Sequence, residues 1–118
     1  MNPVENPIDW VTLLKLTNNK PDLAKELLIM FAAELPALRH TINEAYQNKN
    51  MTVLKDETHK LHGSCCYTGV TRLKNLSQQL EEEIKLNQQE AIRETLVQLN
   101  AEIDLVLKTI KEIPYDGE

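Results

Sequence analysis

The chain contains 118 residues, of which 42% are hydrophobic, only 4% aromatic and 26% charged, with a formal net charge of −5. This length predicts a single domain over residues 1–118, large enough to bury a mainly aliphatic core. A nucleic-acid-binding protein would present a basic face, so the acidic charge argues against that class. No apolar run approaches the roughly 20 residues of a membrane span and no signal peptide is evident, so we expect a cytoplasmic location without direct membrane contact.

The first 20 residues predict an irregular lead-in followed by a short helix. Pro3 and Pro7 favour irregular structure over residues 1–7. A short helix is expected to start near Asp9 and to cover one end of the core. Two sets of residues could face inward: Ile8, Val11 and Leu14, or Trp10 and Leu13. Residues 18–20, Asn-Asn-Lys, end this helix.

The second predicted helix runs from Pro21 to Gln47. Proline suits the first turn of a helix, and the carboxylate of Asp22 complements the positive end of the helix dipole. Pro36 removes one backbone hydrogen bond inside the helix, so we expect a bend there and not an end. Apolar residues recur at helical spacing on both sides of this proline: Leu23, Leu27, Phe31, Leu35, Leu38, Ile42 and Ala45.

Three further helices follow, separated by short breaks. The third is predicted from about Met51 to Tyr67, and Gly69 is placed to end it in a left-handed conformation. The fourth ends near residues 86–87 and carries on one face Leu73, Leu76, Leu80 and Ile84. The last stops before Pro114, leaves 114–118 as a tail, and has apolar residues at steps of four and three: Ile92, Leu96, Leu99, Ile103, Val106 and Ile110. This seven-residue repeat is typical of near-antiparallel helix packing.

Four long amphipathic helices joined by short turns must each lie antiparallel to the next. The predicted fold is therefore all-α, an up-down-up-down antiparallel four-helix bundle with a short additional N-terminal helix. The sequence shows no internal repeat and no sign of a second domain.

The segment 58–69, THKLHGSCCYTG, sorts its side chains sharply between two faces of the third helix. At 3.6 residues per turn, a buried stripe forms from Leu54, Thr58, Leu61 and Cys65. His59 lies about 140° from Leu54, and Gly63 about 180° from it, on the outward face. A glycine inside a helix costs about 0.5–1 kcal/mol relative to alanine, and the packing of an outward face does not require one. We therefore expect the space beside His59 to serve a function.

Other kinds of site lack necessary parts. His59, His62 and Cys66, with Cys65 nearby, could bind copper or zinc, but no further ligand is evident, so no metal is expected. Cys66 as an acyl-transfer nucleophile would need an orienting group and an oxyanion site. Without a glycine-rich phosphate loop the chain is not expected to bind ATP or to act as an enzyme. The charge run at residues 81–83, Glu-Glu-Glu, is interpreted as a solvated helix face.

Residues 59–64, HKLHGS, resemble the H-x-L-K-G-S signature of histidine-containing phosphotransfer (HPt) domains. The resemblance extends over nearly the whole chain. Residues 27–38, LLIMFAAELPAL, are similar to the family's second helix, and Gly69 falls where members turn toward the next helix. The form HKLHGSCCYTGV, followed by Arg72 and Leu73, is most similar to the phosphotransfer domain that ends BarA-type hybrid sensor histidine kinases.

The resemblance implies a role in a phosphorelay of two-component signal transduction. His59 would accept a phosphoryl group from the phospho-aspartate of a hybrid-kinase receiver domain and pass it to the aspartate of a response-regulator receiver. The Mg²⁺ involved belongs to the receiver, so no cofactor is expected in this chain. The accepting imidazole must be neutral to attack, and Gly63 would let the receiver approach the ring closely.

One residue departs from the family pattern, because the usual lysine three residues after the acceptor is His62 here. In the family that lysine neutralises phosphoryl charge. His62 could still donate a hydrogen bond, and Lys55 or Lys60 could supply the cation. The expected supporting site comprises His62, Gly63, Lys55, Lys60 and Ser64. The expected docking surface for a receiver includes Thr52 and Cys66, with an adjoining apolar patch from the second helix, and the isolated domain is expected to be a monomer.

A second class of function is left open by the sequence, namely a helical protein-interaction domain of the same fold that carries no phosphate. Transfer from a phosphorylated receiver would separate the two hypotheses. The resemblance also favours a C-terminal segment of a membrane-anchored kinase over a free-standing protein.

Overall fold

The computed structural model describes residues 6–113, and these residues form five α-helices and no strand. The helices are α1 (Trp10–Leu16), α2 (Pro21–Gln47), α3 (Met51–Cys65), α4 (Thr71–Lys85) and α5 (Gln89–Lys111). Residues 6 and 7 are irregular, as predicted for the lead-in, and the irregular stretch continues through Ile8. Residues 1–5 and the predicted tail 114–118 lie outside the described residues.

The four long helices close into a ring in which every helix has two neighbours. Helix α2 packs against α3 and α5, and α4 packs against the same two helices, while α1 packs on α2. Their connections, residues 48–50, 66–70 and 86–88, are too short to cross the length of the bundle, so consecutive helices run antiparallel. The predicted up-down-up-down bundle with a short additional helix is confirmed, with dimensions of 46 × 27 × 21 Å.

The aliphatic core follows the predicted stripes with one shift. All six apolar residues of the α5 repeat are buried, from Ile92 to Ile110. In α2 the core side continues from Phe31 back to Leu28 and Ala24, which are fully buried, whereas Leu23 is 39% exposed. One residue turns a helix by about 100°, so the predicted positions at the start of α2 lie beside the core stripe and not on it. The helix continues through Pro36, as predicted.

Left-handed residues mark the breaks between helices. Asn18, Asn19, Lys49 and Asn87 all have positive φ, as does Gly69 at +67°. Asparagine tolerates this conformation better than most residues, and glycine adopts it without a steric cost. Helix α3 ends at Cys65 and not at Tyr67, because the chain tightens from Cys66 into a turn with hydrogen bonds to the third preceding residue.

Helix α1 closes one end of the bundle. Asp9 caps it, since its carboxylate accepts hydrogen bonds from the backbone N–H and the hydroxyl of Thr12. Ile8 and Leu13 are buried, and Trp10 and Leu14 pack partly buried against the core, whereas Val11 is 66% exposed. The inward face therefore takes residues from both predicted sets, and only the placement of Val11 is wrong. The Asp9 N–H donates to the Gly69 carbonyl at 2.7 Å, which joins α1 to the turn after α3.

Candidate functional site

Helix α3 presents His59 to solvent, as its spacing predicts. Its buried residues are Leu54, Thr58, Leu61 and Cys65, all at most 2% exposed. The side chain of His59 lies off this stripe and is 73% exposed. An imidazole in that position can be reached by another protein without any opening of the core.

Glu81 on α4 holds one nitrogen of this imidazole. His59 Nδ1 lies 2.8 Å from Glu81 Oε2, within hydrogen-bond distance. An ionised carboxylate only accepts hydrogen bonds, so Nδ1 must carry the hydrogen. The neutral ring then keeps its lone pair on Nε2. Glu81 thereby favours the tautomer in which Nε2 carries the free lone pair.

The interpretation of residues 81–83 as a solvated face is wrong for two of the three glutamates. The side chain of Glu81 is only 15% exposed. Glu83 is buried, and its Oε2 accepts a hydrogen bond from Gln79. Only Glu82 lies in solvent. The run straddles the core stripe of α4 because Leu80 and Ile84, on either side of it, are buried.

His62 faces α4 and not the solvent. Its Nδ1 lies 3.4 Å from Glu81 Oε1, and its side chain is 22% exposed. Its Nε2 is buried and has no hydrogen-bond partner within residues 6–113. Glu81 therefore lies between two imidazoles, with one carboxylate oxygen toward each.

Three lysine side chains lie near the exposed ring of His59, together with two carboxylates. An open groove beside His59 is lined by Lys55, Asp56, Lys60, Glu81 and Lys85. Lys60 forms an ion pair of 3.1 Å with Glu57. Across the described part of the chain, Lys55 and Lys85 have no ion-pair partner. Both ammonium groups are therefore available to an anion at His59.

Gly63 leaves the predicted open space one turn after His59. A Cβ built on Gly63 would meet no atom within 4 Å. The glycine lies in a shallow groove with Ser64, Tyr67, and Glu34 and Leu38 of α2. Tyr67 is 68% exposed, and Met30 of α2, in the adjoining depression, is 60% exposed. We call Met30, Leu38 and Tyr67 the apolar patch.

The two cysteines beside the site differ in environment, and both are free. Cys65 is buried, and this burial raises the pKa of its thiol to about 12. Cys66, the C-cap of α3, is partly exposed. Within residues 6–113 no group of three His, Cys, Asp or Glu side chains is arranged to hold a metal ion. Thr52 is exposed on α3, two turns before His59.

Sequence reasoning missed Glu81 and Lys85, which belong to α4. Both lie outside the signature segment and reach the site only through helix packing. One signal was available, because Glu81 directly follows the core residue Leu80 and so lies at the edge of the apolar stripe. A carboxylate at the edge of a stripe is a candidate partner for polar groups on the neighbouring helix.

A family model described as the Hpt domain matches residues 26–111. The chain is 37% identical over 114 residues to the signal transduction histidine-protein kinase BarA of Escherichia coli strain K12, covering 93% of this chain and 12% of that protein. It is 38% identical over 74 residues to the sensor protein GacS of Pseudomonas syringae pv. syringae, covering 63% of this chain and 8% of that protein. The chain thus spans only a small part of the length of these relatives.

A solved structure has the same fold. The crystal structure of the HPT domain from a Shewanella sensor hybrid histidine kinase superposes with a TM-score of 0.81 at 29% sequence identity. The match covers 92% of this chain and 93% of that one. No helix within residues 6–113 is long and apolar enough to cross a membrane. With its helical bundle, its family match and these relatives, the chain belongs to the Hpt domain family, the phosphotransfer modules of two-component phosphorelays.

Proposed function

We propose that His59 is the phosphoryl acceptor of this domain and that Nε2 is the reacting atom. The observation that carries the proposal is the pairing of an imidazole that is 73% exposed with a carboxylate 2.8 Å from its Nδ1. The exposure lets a receiver domain reach the ring, and the carboxylate fixes the tautomer that leaves Nε2 with a lone pair.

The transfer step uses this lone pair directly. Nε2 attacks the phosphorus of a receiver phospho-aspartate in line, the N–P bond forms, and the P–O bond to the aspartate breaks with its electrons leaving on the carboxylate. The ring still carries its Nδ1 hydrogen and becomes cationic as Nε2 is phosphorylated. Glu81 stabilises that cation at 2.8 Å. The reverse step, on the aspartate of a response-regulator receiver, returns the ring to its neutral form.

The phosphoryl charge is neutralised by ammonium groups at the groove. Lys55 and Lys85 carry the role, because neither has an ion-pair partner within residues 6–113, whereas Lys60 is engaged by Glu57 at 3.1 Å. A lysine is a flexible point charge, so it can follow the phosphoryl group as this group moves between partners. The divalent cation of the reaction is held by the receiver, and this chain needs no cofactor and no ATP site.

The receiver docks on the face around His59. Gly63 admits the partner's loops beside the ring, since nothing lies within 4 Å of its missing Cβ. The apolar patch on one side supplies contact area, with Ser64 between Gly63 and Tyr67. Cys66 and Thr52 form the two ends of this face along α3. The isolated domain acts as a monomer, which leaves the face open to one receiver at a time.

The parent protein is a hybrid histidine kinase of the BarA type, cytoplasmic at this domain and anchored in the inner membrane elsewhere. This proposal goes beyond the chain itself, which spans 12% of the length of BarA. It is supported by 37% identity over an alignment that covers 93% of this chain.

Phosphotransfer profiling tests the acceptor assignment. The chain is incubated with each phosphorylated receiver domain of the source organism, and the protein is analysed for an acid-labile, alkali-stable phosphate. We expect labelling by at least one receiver and none in a His59→Gln variant, whose fold should be retained because the side chain lies outside the core. The unmodified chain incubated with ATP alone should stay unlabelled.

The control variant is His62→Gln, which keeps His59 and should still be labelled at that residue. Labelling that persists in His59→Gln, or that mass spectrometry maps to His62, would show that the wrong histidine was chosen. No transfer from any receiver would favour the interaction domain that carries no phosphate.

A further inference from the structure

His62 replaces a lysine of the family signature, yet its side chain is not placed to do the work of that lysine. The groove beside His59 is formed by other residues, and His62 lies outside it. The distal nitrogen of His62, Nε2, is the atom that would have to reach a phosphoryl group. Within residues 6–113 it is buried and has no hydrogen-bond partner. A different role follows from its other nitrogen.

Glu81 is held from both sides. Its Oε2 lies 2.8 Å from His59 Nδ1, and its Oε1 lies 3.4 Å from His62 Nδ1. A glutamate side chain has three rotatable bonds, and restricting it to one conformation costs conformational entropy. A second polar contact on the opposite oxygen restricts the carboxylate without occupying the oxygen that His59 uses. His62 is well suited to this because its own side chain is packed, with only 22% exposed.

We propose that His62 is a positioning residue that acts through Glu81. By holding Oε1 it keeps Oε2 on His59 Nδ1, which keeps the hydrogen on Nδ1 and the lone pair on Nε2. His62 does not contact the phosphoryl group. This inference rests on the proposed role of His59 as acceptor.

Two substitutions of the same residue separate the nitrogen atoms of His62. The amide nitrogen of asparagine is as many bonds from Cβ as Nδ1 of histidine, whereas the amide nitrogen of glutamine matches Nε2. His62→Asn therefore keeps a donor toward Glu81, and His62→Gln moves it to the buried side. If His62 acted through its distal atom, as a lysine would, glutamine would be the better replacement.

The first measurement is the tautomer of His59 in the unphosphorylated chain. Long-range ¹H–¹⁵N correlation spectra are recorded at about pH 8, where a free imidazole is neutral. We expect the Nδ1–H tautomer of His59 in the parent and in His62→Asn, and a shift toward the Nε2–H tautomer in His62→Gln. Loss of structure would not produce this pattern, and circular dichroism checks that both variants are folded.

The second measurement is the rate of phosphorylation by phosphoramidate, a small donor that needs no docked receiver. Nε2 forms the N–P bond while ammonia leaves with the electrons of the broken P–N bond. We expect His62→Gln to react at least about threefold more slowly than the parent, which is the size of effect found for coupled neighbouring polar groups. His62→Asn should react at close to the parental rate.

A Glu81→Ala background completes the test. Because His62 acts through Glu81, His62→Gln should cause no further slowing in that background. The inference would be overturned if His62→Gln slowed phosphorylation equally in the parent, which has Glu81, and in the Glu81→Ala background. It would also be overturned if His62→Gln reacted at the parental rate while His62→Asn reacted slowly. Failure of the acceptor assignment would be a separate result, because mass spectrometry would then map the phosphate to a residue other than His59. The tautomer measurement would still test whether His62 acts through Glu81.

Discussion

His59 and Gly63 lie one turn apart on the outward face of α3, but only His59 has a side-chain partner on the neighbouring helix. His59 depends on a fixed partner, which Glu81 provides 2.8 Å from Nδ1. Gly63 borders open space, because a Cβ there would meet no atom of residues 6–113 outside its own helical turn within 4 Å. Packing within the described residues therefore does not require this glycine, which supports the proposed docking of a receiver beside it.

Substitutions of Gly63 should separate stability from transfer. Alanine should raise the free energy of unfolding by up to about 1 kcal/mol, since the helix gains propensity and nothing clashes. Gly63→Leu should keep the circular dichroism spectrum of the parent but accept phosphate from a receiver at least about tenfold more slowly, a barrier increase of about 1.4 kcal/mol. Phosphoramidate serves as the control, because so small a donor should label the leucine variant at the parental rate. Transfer from a receiver at the parental rate in Gly63→Leu would refute a docking role for this space.

The two adjacent thiols should react at very different rates. Burial raises the pKa of Cys65 to about 12, so at about pH 8 almost none of it is the reactive thiolate. Cys66 is partly exposed and should be modified first by a maleimide, as peptide mapping would show. A Cys66→Ser variant is the control and should lose the fast reaction. Fast labelling of Cys65 in that folded variant would contradict the burial of this thiol.

Among the helices, the shortest depends most on its ends. Helix α1 has seven residues, fewer than an isolated helix needs in water. It is maintained by the Asp9 cap and by the burial of Leu13. Left-handed residues follow α1, at Asn18 and Asn19, and also three of the longer helices, at Lys49, Gly69 and Asn87. Helix α1 therefore depends on its N-terminal cap and one buried side chain, whereas the longer helices are stabilised along their length by burial in the core.

The Asp9 cap should give α1 a pH-dependent contribution to stability. The hydrogen bonds from the Thr12 hydroxyl and then its backbone N–H lower the pKa of Asp9 below its usual value of 3.8. A lowered pKa means that the contribution is complete above about 3.8 and is lost as the pH falls through the lower value of the folded state. At neutral pH, Asp9→Ala should lower the free energy of unfolding in urea by about 1 kcal/mol.

The control for this titration is Asp9→Asn, which keeps a capping oxygen but cannot ionise. The free energy of unfolding of the parent should exceed that of Asp9→Asn near neutral pH. This advantage of the parent should become smaller as the pH is lowered through the acidic range. A difference that does not vary with pH would contradict the role of the ionised cap.

Over the whole molecule, the sequence predicted the bundle well because each long helix carries its own apolar period. The α5 repeat and the α3 stripe are buried at the predicted positions. Glu81 was not predictable in this way, since it lies about 100° around the helix from Leu80, at the edge of the stripe. Whether such a residue faces solvent or His59 depends on the rotation of α4 against α3, which side chains of both helices determine together. The rotation of α2 likewise determines that Ala24 and not Leu23 lies in the core.

The overall charge of −5 predicts a weak effect of salt on transfer. In the proposed mechanism Lys55 and Lys85 act on the phosphoryl group at short range, whereas the net negative charge of the domain provides no long-range attraction for an anion. Raising NaCl from about 50 to about 300 mM should slow transfer from a receiver by less than about threefold. Lys55→Gln and Lys85→Gln should flatten this small dependence further. A steep decline with salt would indicate an interface dominated by ion pairs.

The contact between α1 and Gly69 determines where the N-terminal segment of the described chain joins the bundle. The Asp9 N–H donates to the Gly69 carbonyl at 2.7 Å, and the Cβ of Leu13 lies 2.8 Å from where a Cβ on Gly69 would be. The chain therefore enters the bundle at the turn that follows α3, the helix of His59, although α1 lies outside the family match at residues 26–111. In the proposed hybrid kinase, a receiver joined to the chain before this point would be held close to the helix that carries His59. A short linker would give that receiver a higher effective concentration at His59 than a receiver free in solution has.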